Sequence, residues 1–173
     1  MSGLTKTRAR NGARSGARPA SKQRLRLWIR LLRSARAIES EIRERLRREY
    51  AITLPQFDVM AALERQGNGM TMTELSRSLM VSNGNVTGIV DRLVAEKLVL
   101  RQAPEEDRRS FIVRLTPKGS THFATIAKAH ETWVDELLKE FGATEAQAVI
   151  EHLDGLDVRI RTGVARQNGE ARA

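Results

Sequence analysis

The chain has 173 residues, 40% of them hydrophobic and 4% aromatic, which makes one ordinary domain with extensions, or at most two small domains, with enough apolar residues for a core. It has no cysteine, which excludes disulfides, cysteine-ligated zinc and thiol redox sensing. The net charge of +9 is lopsided: residues 1–38 hold eleven of the 30 Lys and Arg and no acid, whereas the rest sets 19 basic against 21 acidic residues.

So basic a start favours a polyanionic partner, usually nucleic acid, unless it is simply solvated. No stretch approaches the roughly 18–20 apolar residues of a membrane span. The start also lacks the apolar region of a secretory signal, so a cytoplasmic or nucleoid-associated protein is expected. Residues 1–20 mix Gly, Ala, Ser, Pro and Arg without a period and read as a disordered basic tail. The same composition resembles a transit peptide, a minor alternative.

Residues 21–50 read as one long helix. Leu25, Trp28, Leu32, Ala35, Ile42 and Leu46 step by three and four, with Ile38 carrying the apolar face beside Glu39. Such a seam wants a partner helix, from a second copy or from the same chain. A second helix opens at Thr53-Leu54-Pro55, with Thr53 as cap and Pro55 in the first turn. Phe57, Met60, Ala61 and Leu63 face inward, and Gly67-Asn68-Gly69 ends it.

Thr71 and Glu74 form a capping box for a third helix, which runs to about Met80. Ser82 caps a fourth, which runs to about Glu96 and buries Val86, Val90 and Leu93. Leu98–Arg101 and Phe111–Leu115 read as two short strands of a hairpin with a charged tip. Thr116-Pro117 starts a long helix reaching about Phe141. Thr144 opens a final one, with Ile150, Leu153, Leu156 and Ile160 in step, and residues 163–173 read as a frayed tail.

Two short helices joined by a tight turn and followed by a hairpin make a winged helix-turn-helix, in a fold that is mainly α with about six helices. Its second helix must offer small polar side chains to base edges in a major groove. Ser82, Asn83, Asn85 and Thr87 suit that work: Asn pairs bidentately with adenine, and Thr meets a phosphate or a thymine methyl. Gly84 and Gly88 leave room for close approach, and Asn and Gly in a helix need explaining because both are poor helix formers. An ordinary capped helix start is the competing reading. Arg77 and Arg92 complete the expected DNA-contacting set on these two helices. At the hairpin tip, Arg109 can enter a minor groove with Asp107 holding its guanidinium. A solvated charged turn is the alternative there.

These segments resemble the multiple-antibiotic-resistance-regulator (MarR) family of bacterial transcription factors. The resemblance covers about residues 22–160. It is carried by Met72-Thr73-Glu74-Leu75-Ser76, by Val81 through Leu93, by Leu98-Val99-Leu100-Arg101 and by Asp107 through Gly119, which matches the family's wing signature Asp-x-Arg followed by Leu-Thr-x-x-Gly. The arginine-rich start before residue 22 departs from the common pattern.

The resemblance implies an intertwined helical homodimer that binds a pseudo-palindromic DNA operator. Its segments would be an N-terminal dimerisation helix at 21–50, a DNA-binding domain at 51–118 and C-terminal dimerisation helices at 119–162, with Trp133, Leu137, Phe141 and Ile150 at the interface. It also implies repression of a nearby operon until a small-molecule effector binds. A pocket at the family's position would draw on Trp28, Leu32, Phe57, Met60 and Ala61, any of which can equally be plain core. Arg26, Arg30 and Arg33, on one helical face, would meet carboxylate or phosphate, unless they form a solvated face over the DNA backbone.

The stretch from Trp28 to Val90 looks most like the branch that regulates aromatic-acid catabolism, so the expected effector is an aromatic carboxylic acid or its coenzyme A thioester. No cofactor, metal or membrane is expected. His122 and His130 lie eight residues apart, about 12 Å along a helix, too far to share one ion. No Gly-rich phosphate loop, Ser-His-Asp set or paired carboxylate cluster points to an enzyme. The alternatives are a non-specific architectural nucleic-acid binder driven by the basic tail, or a winged helix used for protein docking, which would not require Arg109.

Overall fold

A computed structural model describes residues 19–102 and 111–170. The readings placed on the basic tail through residue 18 and on residues 171–173 lie outside the described residues. The described residues form six helices and one three-stranded antiparallel sheet.

Helix α1 (Ala20–Tyr50) contains no Gly or Pro and is rich in Ala, Leu, Arg and Glu, all strong helix formers. Glu-to-Arg pairs one turn apart, Glu39–Arg43, Glu41–Arg45 and Glu44–Arg47, support its second half. The chain divides inside this helix: one unit ends at Ala37 and the other begins at Ile38. Beyond that point, Ile42, Leu46 and Ile52 share a core with Phe57, Ile126 and Trp133, while Ile38 and Tyr50 pack against it.

In the first unit, α1 leaves Leu25, Leu27, Trp28, Ile29 and Leu31 exposed. In the second, α2 (Leu54–Gln66), α3 (Met72–Leu79) and α4 (Asn83–Ala95) surround a core of Met60, Leu63, Leu75, Val86, Val90, Leu93, Val99 and Val113. Two capping boxes fix the starts of α2 and α3. Thr53 exchanges bonds with Gln56, and Thr71 with Glu74.

Strands β2 (Val99–Gln102) and β3 (Ile112–Leu115) pair antiparallel, Val99 against Leu115 and Gln102 against Ile112. The hairpin was expected, but a third strand, β1 (Met70–Thr71), joins β3 through Met70–Val113. Gly69, at φ 85°, makes this pairing possible, since a Cβ there would lie 2.7 Å from the Val113 carbonyl oxygen.

Helix α5 (Pro117–Leu138) starts at Thr116, whose side chain accepts from the Gly119 N–H. A Cβ at Gly119 would run into the Leu98 carbonyl, so α5 sits hard against the segment that follows α4. Helix α6 (Ala143–Glu170) passes well beyond Thr162. The frayed tail expected from 163 is corrected as far as Glu170: no proline interrupts the segment, and Ala165, Arg166 and Gln167 favour a helix.

Candidate nucleic-acid interface

Helices α3 and α4 pack on α2 and on each other. Val86, Val90 and Leu93 are fully buried, so burial follows one stripe of α4 at spacings of four and three. Ser82, Asn83, Gly84, Asn85, Thr87, Gly88 and Arg92 lie on the exposed remainder, and Arg77 is exposed on α3. The expected polar residues of these two helices are thus all exposed.

Two details differ from the sequence reading. Ser82 occupies the cap position of α4 in extended conformation, but its side chain makes no cap hydrogen bond. The Thr87 hydroxyl donates to the Asn83 carbonyl at 2.9 Å. With that bond made, Thr87 offers an outward partner its methyl group and an accepting oxygen. Among the described residues, nothing would meet a Cβ at Gly84 or Gly88. Packing within the protein therefore does not require glycine at either place.

Strand β2 packs beside α4. Arg101 on β2 pairs with Asp91 on α4 at 2.6 Å, a link that the sequence reading missed. Its signal was an acid on the helix and a base on the following strand. Asp107 and Arg109, expected at the wing tip, lie outside the described residues.

Below α4, the hydroxyl of Thr116 donates to the Lys97 carbonyl at 2.8 Å, and Lys118 Nζ donates to the Glu96 carbonyl at 3.0 Å. Gln56, buried in α2, donates to Glu96 at 3.4 Å. The far end of α4 is thereby tied to both α2 and α5.

The expected effector residues are placed as follows. Arg30 and Arg33, with Arg26, Ile29, Ser34 and Ala37, line an open groove along α1. Trp28 on that helix is 59% exposed, and Leu32 is half-buried. Phe57 is buried in the second unit, with its ring 5.5 Å from Phe123 and stacked 4.7 Å from His130. Met60 is fully buried in the winged-helix core. Within the single chain its side chain has no open face and packs in that core.

Trp133, an expected interface residue, packs within its own chain. It is 6% exposed within the single chain, 6.0 Å from the Tyr50 ring, with the Arg45 guanidinium 6.0 Å from its centre. Leu137 packs against the same core, while Phe141 and Ile150 are exposed.

Two ionisable groups of this unit feel their burial. Desolvation lowers the His130 pKa. It also raises that of Asp58, where Glu39 adds to the rise and Arg43 opposes it.

The family model for the MarR family matches residues 52–111. The chain is similar to the transcriptional activatory protein BadR of Rhodopseudomonas palustris, 30% identical over 139 residues that make up 74% of each chain. It is similar to the crystal structure of a MarR family transcriptional regulator from Silicibacter pomeroyi, 30% identical with a TM-score of 0.70, covering 83% of this chain and 99% of that one. It also shares the fold of Bordetella bronchiseptica BpsR, whose DNA binding is regulated by 6-hydroxynicotinic acid. There the identity is 23% and the TM-score 0.67, over 76% of this chain and 98% of that one.

Proposed function

Because the chain belongs to the MarR family of transcriptional regulators, we propose that this DNA-binding protein is a homodimeric repressor that an aromatic carboxylic acid, or its coenzyme A thioester, releases from its operator. The observation that carries the DNA-reading part is the division of α4: one stripe fully buried, the other made of Ser, Asn, Thr and glycines that the fold itself does not need. Such a surface suits base edges in a major groove.

The dimer would be built on the apolar residues that a single chain leaves in water. On α6 these are Val149, Ile150, Leu153, Leu156 and Ile160, in helical step, and on α1 Leu25, Trp28 and Ile29. Rows of this kind mark association surfaces. Two α4 helices about 34–36 Å apart would meet successive major grooves of a pseudo-palindrome.

The groove with Arg26, Arg30 and Arg33 supports an acidic effector, since guanidinium forks fit carboxylate and phosphate oxygens. Trp28 offers an open ring for an aromatic group. A thioester would engage the arginines through its phosphates. In a protein of the same fold, BpsR, the regulating molecule is an aromatic acid. Release requires only that the effector favour the non-binding arrangement: a coupling of roughly 1–3 kcal/mol weakens DNA binding about 5–150-fold.

The test is a titration of the purified full-length chain against its own upstream DNA, alone and with hydroxycinnamate-type acids or their coenzyme A thioesters. Tight binding lost with one compound supports the proposal. DNA binding that none of these compounds alters contradicts the effector class.

A further inference from the structure

Met80 closes α3 in the left-handed region, at φ 55° and ψ 35°, with its N–H donating to the Arg77 and Ser76 carbonyls. That backbone turn ends one helix so that the next can begin at Ser82. The side chain is not needed for this, because glycine reaches the same conformation without strain. Nor does it serve the core: Met80 is 83% exposed, the most open of the described large hydrophobic residues, whereas Met60 and Met70 are buried and Met72 packs against the core. Val81 beside it is 41% exposed. Met80 and Val81 thus stand exposed three and two residues ahead of Asn83, the first residue of α4.

When the start of a recognition helix meets base edges, the turn before it comes to the groove edge. The apolar groups a duplex offers there are thymine 5-methyls and deoxyribose carbons. Methionine, unbranched and polarisable, adapts to such a partner. We infer that Met80 is a specificity-determining DNA contact, laying its thioether against a thymine methyl beside the bases that α4 reads. The inference rests on the DNA-reading role of α4 proposed above.

Met80→Gly and Met80→Gln in the full-length protein test it on the upstream DNA segment that the unaltered protein protects. The glycine variant should melt no lower than the parent, since it relieves the left-handed strain. The glutamine variant keeps length and backbone preference but carries a polar end. Both should bind that DNA about fivefold or more weakly, the scale of one base contact, and Met80→Leu should recover most of the loss.

Replacing one thymine by uracil, which removes its methyl, should cost the parent a similar factor and cost Met80→Gly nothing. Parental affinity in both the glycine and glutamine variants would overturn the inference. So would weakened binding that no uracil substitution reproduces, which would move the contact to the sugar. Failure of the unaltered protein to bind its upstream DNA would instead count against the DNA-reading proposal itself.

Discussion

Arg101 Nη2 lies 2.6 Å from Asp91 Oδ1, joining the strand that enters the wing to the exposed side of α4. Both side chains are partly exposed, so the pair adds at most about 1 kcal/mol to stability. Its consequence is geometric, because wing stem and recognition helix are held as one body. Asp91→Ala and Arg101→Ala should each leave melting nearly unchanged and weaken operator binding. In a double-mutant cycle on DNA affinity the two should couple by roughly 0.5–3 kcal/mol. Strictly additive losses would mean that Arg101 acts on phosphate alone.

Asn85 is exposed on the open side of α4. Asn85→Ala should keep the fold and cost about 1–3 kcal/mol of specific binding, with little change on unrelated DNA. Competition binding with both DNAs checks this.

Glycines 84 and 119 should respond in opposite ways. Gly119→Ala pushes a Cβ into the Leu98 carbonyl and should destabilise by about 1–3 kcal/mol. Gly84→Ala meets open space and should stabilise α4 by up to about 1 kcal/mol while weakening DNA binding. Denaturant melts and DNA titrations of the two variants separate a glycine kept for packing from one kept for the groove.

His130 stacks on Phe57 and its pKa is lowered by burial. The fold therefore favours the neutral ring. Its stability contribution is fully present above the ordinary histidine range and is lost as pH falls through that range toward the lowered folded value. Asp58 has the opposite sign. Its folded carboxyl is raised by burial, then by Glu39, so its charge opposes folding at neutral pH. Melting temperatures from pH 8 to 5 should show a loss in the parent that His130→Phe removes, and Asp58→Asn should melt higher at pH 7. An unchanged pH profile in His130→Phe would contradict the assignment.

Most elements were legible because their ends are written locally. Thr53 with Gln56, Thr71 with Glu74, and Thr116 before Pro117 each fix a helix start within four residues. What escaped was non-local. Strand β1 has two residues, too few for a period, and its partner Val113 lies 43 positions on from Met70. Trp133 and Met60 sit on apolar stripes that look alike whether they face the same chain, a second copy or a ligand, so their burial within one chain was not written in the spacing. The polar face of α4 was readable from its residues. The bond that commits the Thr87 hydroxyl and the missing bond of Ser82 depend on rotamers that composition does not encode.

The most direct test of the central claim is a salt series of binding isotherms for the full-length protein on its own upstream DNA and on a scrambled duplex of equal length. Sequence-specific recognition by α4 predicts binding to the upstream DNA about 10³-fold or more tighter than to the scrambled duplex at physiological salt, with the gap collapsing in Asn85→Ala. Equal affinities that fall together steeply with salt would contradict the account and leave a non-specific polyanion binder governed by the basic N-terminal residues.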